Sequence, residues 1–244
     1  MTIHFAPIPQ IKSLWQALLL RPSVGKPWLN MRTGGFVRFY SRGMWALAEG
    51  TKIILEKRNK KEGKIWLPDY FCNEPLAPLR NSKISLYFYP IKGDILPDWD
   101  KIERALKEYG PPDVFLLVHY FGFPNSVEKA KEFCENCGAE LFEDAAHLLL
   151  PIEGMGQNMV LFSPRKLLPI PEGGILVIPE RFHGYQKREN HVDEAEIVFK
   201  WLAHRLTQRM LLFFHIPWHR IRKFSTSKKN GTRYNNEIKK LNIF

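Results

Sequence analysis

Val114-Phe115-Leu116-Leu117-Val118 is an unbroken apolar run, with Tyr109-Gly110-Pro111-Pro112 close before it and His119 after it. A strand wetted on one face alternates apolar and polar residues, so a continuous run predicts a strand covered on both faces, the habit of parallel sheets. Upstream, Pro97-Asp98 opens a helix that Tyr109-Gly110-Pro111-Pro112 closes, with Pro and Gly where helix ends favour them. Downstream, Asn125-Ser126-Val127-Glu128 reads as a capped helix start and Gly138 as its stop. Glu140-Leu141-Phe142-Glu143 and Gly174-Ile175-Leu176-Val177-Ile178 read as further strands. Toward the N-terminus, Met44 to Glu56 is apolar at helical spacing and ends in a Lys/Arg/Gly turn at 57–63. Lys64-Ile65-Trp66-Leu67-Pro68 and Ile84 to Tyr89 are short strands. Strands separated by helices of roughly 10–15 residues imply crossover units. The expected fold is therefore α/β, a three-layer sandwich with a mostly parallel sheet.

The composition of the 244 residues, 45% hydrophobic and 25% charged, excludes collagen-like and globally disordered chains. The longest apolar runs, such as Met210-Leu211-Leu212-Phe213-Phe214, fall far short of the roughly 20 residues that span a bilayer. Met1-Thr2-Ile3-His4-Phe5 lacks the pattern of a secretory signal, and three cysteines do not make a disulfide scaffold. The expectation is a cytoplasmic protein. The formal net charge of +11 is uneven: residues 1–180 hold 22 Lys/Arg against 20 Asp/Glu, and residues 181–244 hold 14 against 5. No zinc-finger spacing or RNA-binding aromatic signature accompanies the excess, which argues against nucleic acid and for a solvated basic tail.

In a parallel sheet, ligands collect at the carboxyl ends of the strands. Three stretches stand there: Asp144-Ala145-Ala146-His147 directly after a strand, Ser163-Pro164-Arg165-Lys166 after Val160-Leu161-Phe162, and Glu172-Gly173-Gly174 before the next strand. A buried Asp and a buried Lys need partners, because isolated ions there are costly. On spacing alone, an Asp144–Lys166 ion pair is the simplest account.

Taken in order, these stretches resemble the DegT/StrS sugar aminotransferases, a branch of the fold-type I pyridoxal-phosphate enzymes. The resemblance runs over residues 36–180. Phe39-Tyr40-Ser41-Arg42-Gly43-Met44-Trp45-Ala46-Leu47 resembles the family's Ser-Gly-Thr-x-Ala-Leu helix opening. Trp66-Leu67-Pro68-Asp69-Tyr70-Phe71-Cys72 resembles its strand-Pro-loop, and Val118-His119-Tyr120-Phe121-Gly122-Phe123-Pro124 its Val-His-x-x-Gly-x-Pro turn. Phe142-Glu143-Asp144-Ala145-Ala146-His147 is similar to its Glu-Asp-Ala-Ala-Gln, and Phe162-Ser163 with Lys166 and Glu172-Gly173-Gly174 to its lysine loop. Three departures stand out: Ser163 and Lys166 are three apart where many members have five, Arg42-Gly43 inverts the usual order, and His147 replaces Gln.

The resemblance implies an aspartate-aminotransferase-like large domain over 36–180, after an N-terminal segment at 1–35. The helical segment at 181–223 would be a truncated small domain, and 224–244 a flexible basic tail. It implies pyridoxal 5'-phosphate as cofactor. Lys166 would form the Schiff base and shuttle the α-proton, as an amine in a low-dielectric pocket can. Asp144 would keep the pyridinium nitrogen protonated. His147 would touch the ring oxygen, and Ser163 with the backbone of Arg42 and Gly43 would hold the phosphate. Phe71 would stack on the ring. The implied reaction moves an amino group from glutamate or glutamine to a nucleotide-linked keto-sugar, in cell-surface polysaccharide or secondary-metabolite biosynthesis, by a homodimer. Two other readings are a non-catalytic or cofactor-sensing remnant of the same fold, and a protein binding through its basic tail to a membrane surface or nucleic acid.

Other signals carry less. Cys134-Glu135-Asn136-Cys137 has half of a zinc site's ligands, without a second cysteine pair, and reads as two reduced thiols. His119 lies either near the cofactor or at the cap of its turn. Glu194 to Phe214 reads as one amphipathic helix. Trp201, Phe213, Phe214 and Trp218 pack on the body or across a dimer, or touch an anionic membrane.

Overall fold

A computed structural model describes residues 35–182 except 154 and 171, and residues 10, 12, 28, 31, 184, 203 and 205–207 besides. Two compact units divide the chain: Pro22–Lys187, and residues 1–21 with 188–244. Residues 203 and 205–207 are helical; the rest of the 194–214 helix, its tryptophans and phenylalanines, and the 224–244 tail lie outside the described residues.

The first element, β1 (Phe36–Tyr40), leads into helix α1 (Gly43–Lys57). Strand β2 (Gly63–Pro68), helix α2 (Ala77–Arg80) and strand β3 (Ile84–Tyr89) follow. Helix α3 (Trp99–Tyr109), strand β4 (Val114–Val118), helix α4 (Val127–Cys137) and strand β5 (Glu140–Ala145) come next. Strands β6 (Met159–Phe162) and β7 (Gly174–Ile178) complete one seven-stranded sheet in the order β1-β7-β6-β5-β4-β2-β3.

The predicted run at 114–118 is β4, all five residues buried at the middle of this sheet. Burying each such side chain contributes roughly 1.5–3 kcal/mol. Alternation along the strand splits it between two cores. Val114, Leu116 and Val118 join Ala46, Leu47, Ile53 and Ile54 of α1 and Leu79 of α2 on one face. Phe115 and Leu117 join Ile102 of α3 and Ala130 and Phe133 of α4 on the other. The three layers are thus helix, sheet and helix.

The predicted helix ends hold with one change. Asp98 caps α3 by accepting from the Lys101 N–H, and Gly138 closes α4 in the left-handed conformation at φ 70°, ψ 23°. Ser126 sits at the N-cap of α4 but makes no capping bond; Asn125 Oδ1 instead accepts from the Ser126 N–H.

Three features depart from the sequence reading. Residues 36–40 form a strand, paired antiparallel with β7. Strand β7 runs antiparallel to β6, so the parallel set is β2 to β6. Strand β5 extends through Asp144 to Ala145, placing Asp144 inside the strand. No helix among the described residues is long and apolar enough to cross a membrane.

Candidate functional site

The carboxyl ends of β4, β5 and β6 lie side by side, Val118 opposite Asp144 and Ala145 opposite Phe162. Phe142 and Ala146 belong to the core under α1, and strand alternation puts Asp144 on that same face. Asp144 is 7% exposed, and its Oδ1 accepts the Ala146 N–H at 2.8 Å. Among the described residues no hydrogen bond engages Oδ2.

Beside it is the start of α1. Arg42, the N-cap, is extended (φ −145°, ψ 152°), and its carbonyl accepts the Trp45 N–H at 3.1 Å. The first N–H groups of a helix have no intrahelical partner and carry partial positive charge. Ser163 is buried against this helix start: a Cβ on Gly43 would lie 3.3 Å from Ser163 Cβ and 3.4 Å from its Oγ. The hydroxyl donates to the Gly173 carbonyl at 3.4 Å, and the Gly173 N–H donates to the Ser41 carbonyl at 3.0 Å. Gly174 abuts Arg42 so closely that a Cβ there would overlap the Arg42 carbonyl. The Arg42 guanidinium turns away to Glu74, at 3.2 Å.

Lys166 ends a short 3-10 turn (Pro164–Lys166) whose first hydrogen bond runs from the Lys166 N–H to the Ser163 carbonyl. Its side chain corrects two expectations. Lys166 is exposed, not buried, because the turn carries it beyond the carboxyl end of β6. Among the described residues no ion pair joins it to Asp144; its Nζ lies 3.3 Å from His147 Nε2. His147 Nδ1 faces the Phe121 N–H at 3.3 Å, and the Phe121 ring stacks on the imidazole at 5.6 Å and 12°. Burial, helped by the Lys166 charge, holds the His147 pKa below the usual imidazole value, and Asp144 opposes them.

Phe71 is half-buried and packs on the core under α1. Its neighbour Tyr70 is exposed, 5.7 Å from the ring of Tyr120, whose hydroxyl donates to the Tyr70 carbonyl. Burial, with Asp144 nearby, raises the Tyr120 hydroxyl far above its ordinary pKa. His119 takes the capping role: its Nδ1 accepts the Asn125 N–H at 2.9 Å on the sheet face away from α1. Phe121 is the residue that sequence reasoning missed; its backbone is left-handed (φ 53°), and the glycine that follows it at 122 was the signal the sequence offered.

The arrangement is chemically suited to pyridoxal phosphate. A helix start and a buried hydroxyl can take a phosphate dianion, a carboxylate with a spare oxygen can take a ring nitrogen, and an amine stands across from them.

The chain superimposes on 3-amino-5-hydroxybenzoic acid synthase with a TM-score of 0.55 at 16% identity, over 74% of this chain and 52% of that one. The sugar aminotransferase CalS13 from Micromonospora echinospora gives 0.55 at 16%, over 73% and 55%. A GDP-4-keto-6-deoxymannose-3-dehydratase gives 0.56 at 18%, over 71% and 50%. The fold is that of an aspartate-aminotransferase-like large domain. Curated relatives carry a different name. Serine hydroxymethyltransferase from Methanocella arvoryzae is 33% identical over 115 residues, 43% of this chain and 27% of that protein. The Methanopyrus kandleri enzyme of the same name is 36% identical over 92 residues, 34% and 22%. No family profile matches the chain. The chain spans about a quarter of the curated relatives and half of the solved chains. A putative PLP-dependent aminotransferase from Bacillus cereus, named for the cofactor expected here, gives 0.54 at 18%, over 75% and 56%.

Proposed function

We propose that this chain binds pyridoxal 5'-phosphate and acts as an aminotransferase on a nucleotide-linked keto-sugar, with an amino acid as donor. The convergence of Asp144, the Gly43–Ser163 helix start and Lys166 at one end of the sheet carries the reading. When bound, the cofactor supplies an electron sink for negative charge at a substrate α-carbon. The α1 N-terminus and Ser163 Oγ bind its phosphate. Asp144 Oδ2 holds a proton on its ring nitrogen, His147 contacts its ring oxygen, and Phe71 bounds its face. Lys166 Nζ carries the proton to and from the substrate.

The sugar-acting solved neighbours support the keto-sugar acceptor. A second reading, chemistry on an amino acid without transfer of its nitrogen, is favoured by the 33% identity to serine hydroxymethyltransferase over 115 residues. Borohydride reduction with pyridoxal phosphate, followed by peptide mass spectrometry, tests the shared part. The label should fall on Lys166 and vanish in Lys166→Ala; label on another lysine overturns the assignment. Spectral change on adding glutamate or glutamine then favours the aminotransferase. Change on adding serine alone favours the second reading, and a cofactor spectrum inert to all three makes the protein a non-catalytic binder.

A further inference from the structure

The sheet is split at its carboxyl end between β2 and β4. The two strands pair at Ile65–Val114 and Trp66–Phe115 and no further, and Pro68 ahead has no N–H with which to resume the ladder. On either side the pairing runs on, β2 with β3 to Pro68–Tyr89 and β4 with β5 to Val118–Asp144. The chain leaves β2 for β3 on one side of the split, and β4 for β5 on the other. Such a switch point is where open α/β sheets form a ligand crevice.

Two tyrosine hydroxyls bridge the split. Deep within it, Tyr89 at the end of β3 donates to the Leu116 carbonyl of β4 at 2.8 Å. That bond satisfies a buried acceptor which the interrupted ladder leaves over. At the mouth, Tyr120 donates to the Tyr70 carbonyl, in the loop after β2, at 2.6 Å. The Tyr120 phenol is buried and stays protonated, so it is a permanent donor. Its chain neighbours are tied down on either side. The His119 N–H donates to the Asp144 carbonyl at 2.9 Å, and the Phe121 N–H faces His147 Nδ1 at 3.3 Å. Three consecutive residues thus reach three separate segments, and the one that Tyr120 reaches carries Phe71. The Tyr70 carbonyl shares a planar peptide unit with the Phe71 nitrogen. Holding that oxygen sets the plane from which the Phe71 side chain departs.

We propose that Tyr120 is a positioning residue: its hydroxyl clasps the loop after β2 across the split and so holds Phe71 against the face of the cofactor ring. The role at the ring rests on the pyridoxal-phosphate reading, whereas the clasp belongs to the chain without cofactor. Phenylalanine at 120 keeps the ring and its packing and removes the clasp alone.

The first test uses the full chain purified without cofactor. Tyr70 and Phe71 are themselves chymotrypsin sites, and cleavage of a loop follows the population of its open form. Brief digestion, read by mass spectrometry, should cut after them roughly fivefold faster in Tyr120→Phe, the worth of one net hydrogen bond. Tyr89→Phe provides the contrast. It strands the buried Leu116 carbonyl, so its urea midpoint should fall while the loop is cut at the native rate. Fluorescence titration then follows the ring. Tyr120→Phe should weaken pyridoxal phosphate and phosphate-free pyridoxal by the same factor, up to about fivefold, and Tyr89→Phe should weaken neither. A native cutting rate in Tyr120→Phe, or equal acceleration in Tyr89→Phe, overturns the clasp. A loss confined to pyridoxal phosphate overturns the role at the ring. A native chain that binds neither compound refutes the cofactor reading, and the cutting comparison still decides the clasp.

Discussion

Glu143 and Asp144 are consecutive in β5 and serve opposite faces of the sheet. Glu143, 1% exposed, takes the His119 imidazole at 3.2 Å on one oxygen and the Asn158 amide at 2.9 Å on the other. Asp144 lies on the face that carries α1. One face of the strand end is closed by a satisfied polar network while the other keeps a spare carboxylate oxygen. Because His119 Nδ1 accepts from Asn125, its hydrogen lies on Nε2, toward Glu143.

Glu143→Ala should therefore destabilise the fold without touching the site chemistry directly. It strands two buried donors, on His119 and Asn158, and an orphaned buried donor costs roughly 1–3 kcal/mol. Urea denaturation reads the loss; an unshifted midpoint would show the network to be idle.

Asp144→Asn should keep cofactor binding and lower turnover by orders of magnitude, because a neutral amide cannot hold the ring proton. A hydrogen bond to a charged group contributes about 1.5–3 kcal/mol, and binding loses no more than that. Half-reaction rates with glutamate provide the check. Rates equal to the native protein's would make Asp144 structural.

Ser163→Ala should discriminate between two forms of the cofactor. Removing one phosphate donor should weaken pyridoxal phosphate by up to about tenfold, the range of a single net hydrogen bond, and leave phosphate-free pyridoxal unaffected. Equal losses for both in a fluorescence titration would move the phosphate elsewhere.

The thiols should label in a fixed order. Burial pushes the Cys134 thiol far above its usual pKa and raises Cys137 as well, which leaves little thiolate in either at neutral pH. Cys72 is exposed in the loop after β2. Iodoacetamide with peptide mapping should find Cys72 first and Cys134 last. Early modification of Cys134 would mean that α4 opens readily in solution.

A homodimer is expected around the site. Phe121, Phe123, Leu149, Leu150 and Leu167 are all exposed in the segments that follow β4, β5 and β6. Clustered apolar exposure of this kind marks a surface that another molecule covers. Light scattering coupled to size exclusion should give twice the 28.6 kDa of one chain. A monomer at micromolar concentration that still binds cofactor would refute the dimer.

Much of this architecture was legible because local chemistry and tertiary placement agreed. Val114–Val118 is apolar throughout because both of its faces are covered, and Gly138 stops α4 because the chain needs a left-handed residue there. Strand β1 was not legible: Phe36-Val37-Arg38-Phe39-Tyr40 carries an arginine at its centre, which pairs with Glu49 of α1 at 3.2 Å. The reversal of β7 left a trace that spacing could have revealed. Residues 163–173 contain Pro164, Pro169 and Pro171, too short and too interrupted for the crossover that a parallel partner requires. Within the site, the stretches holding Asp144 and Ser163 stood out by their place after strands, whereas Gly43 entered only through the resemblance. The approach of Phe121 to His147 joins segments 26 residues apart through a backbone twist, and no periodicity encodes it.

The segment from Ser163 to Gly174 leaves from one side of the α1 start and returns to the other, against Arg42. Both of its anchors are thus fastened to a single post. A strap held this way can be shortened or lengthened between its fastenings without disturbing either. The length between the fastenings sets how far the Lys166 amine stands beyond the end of β6.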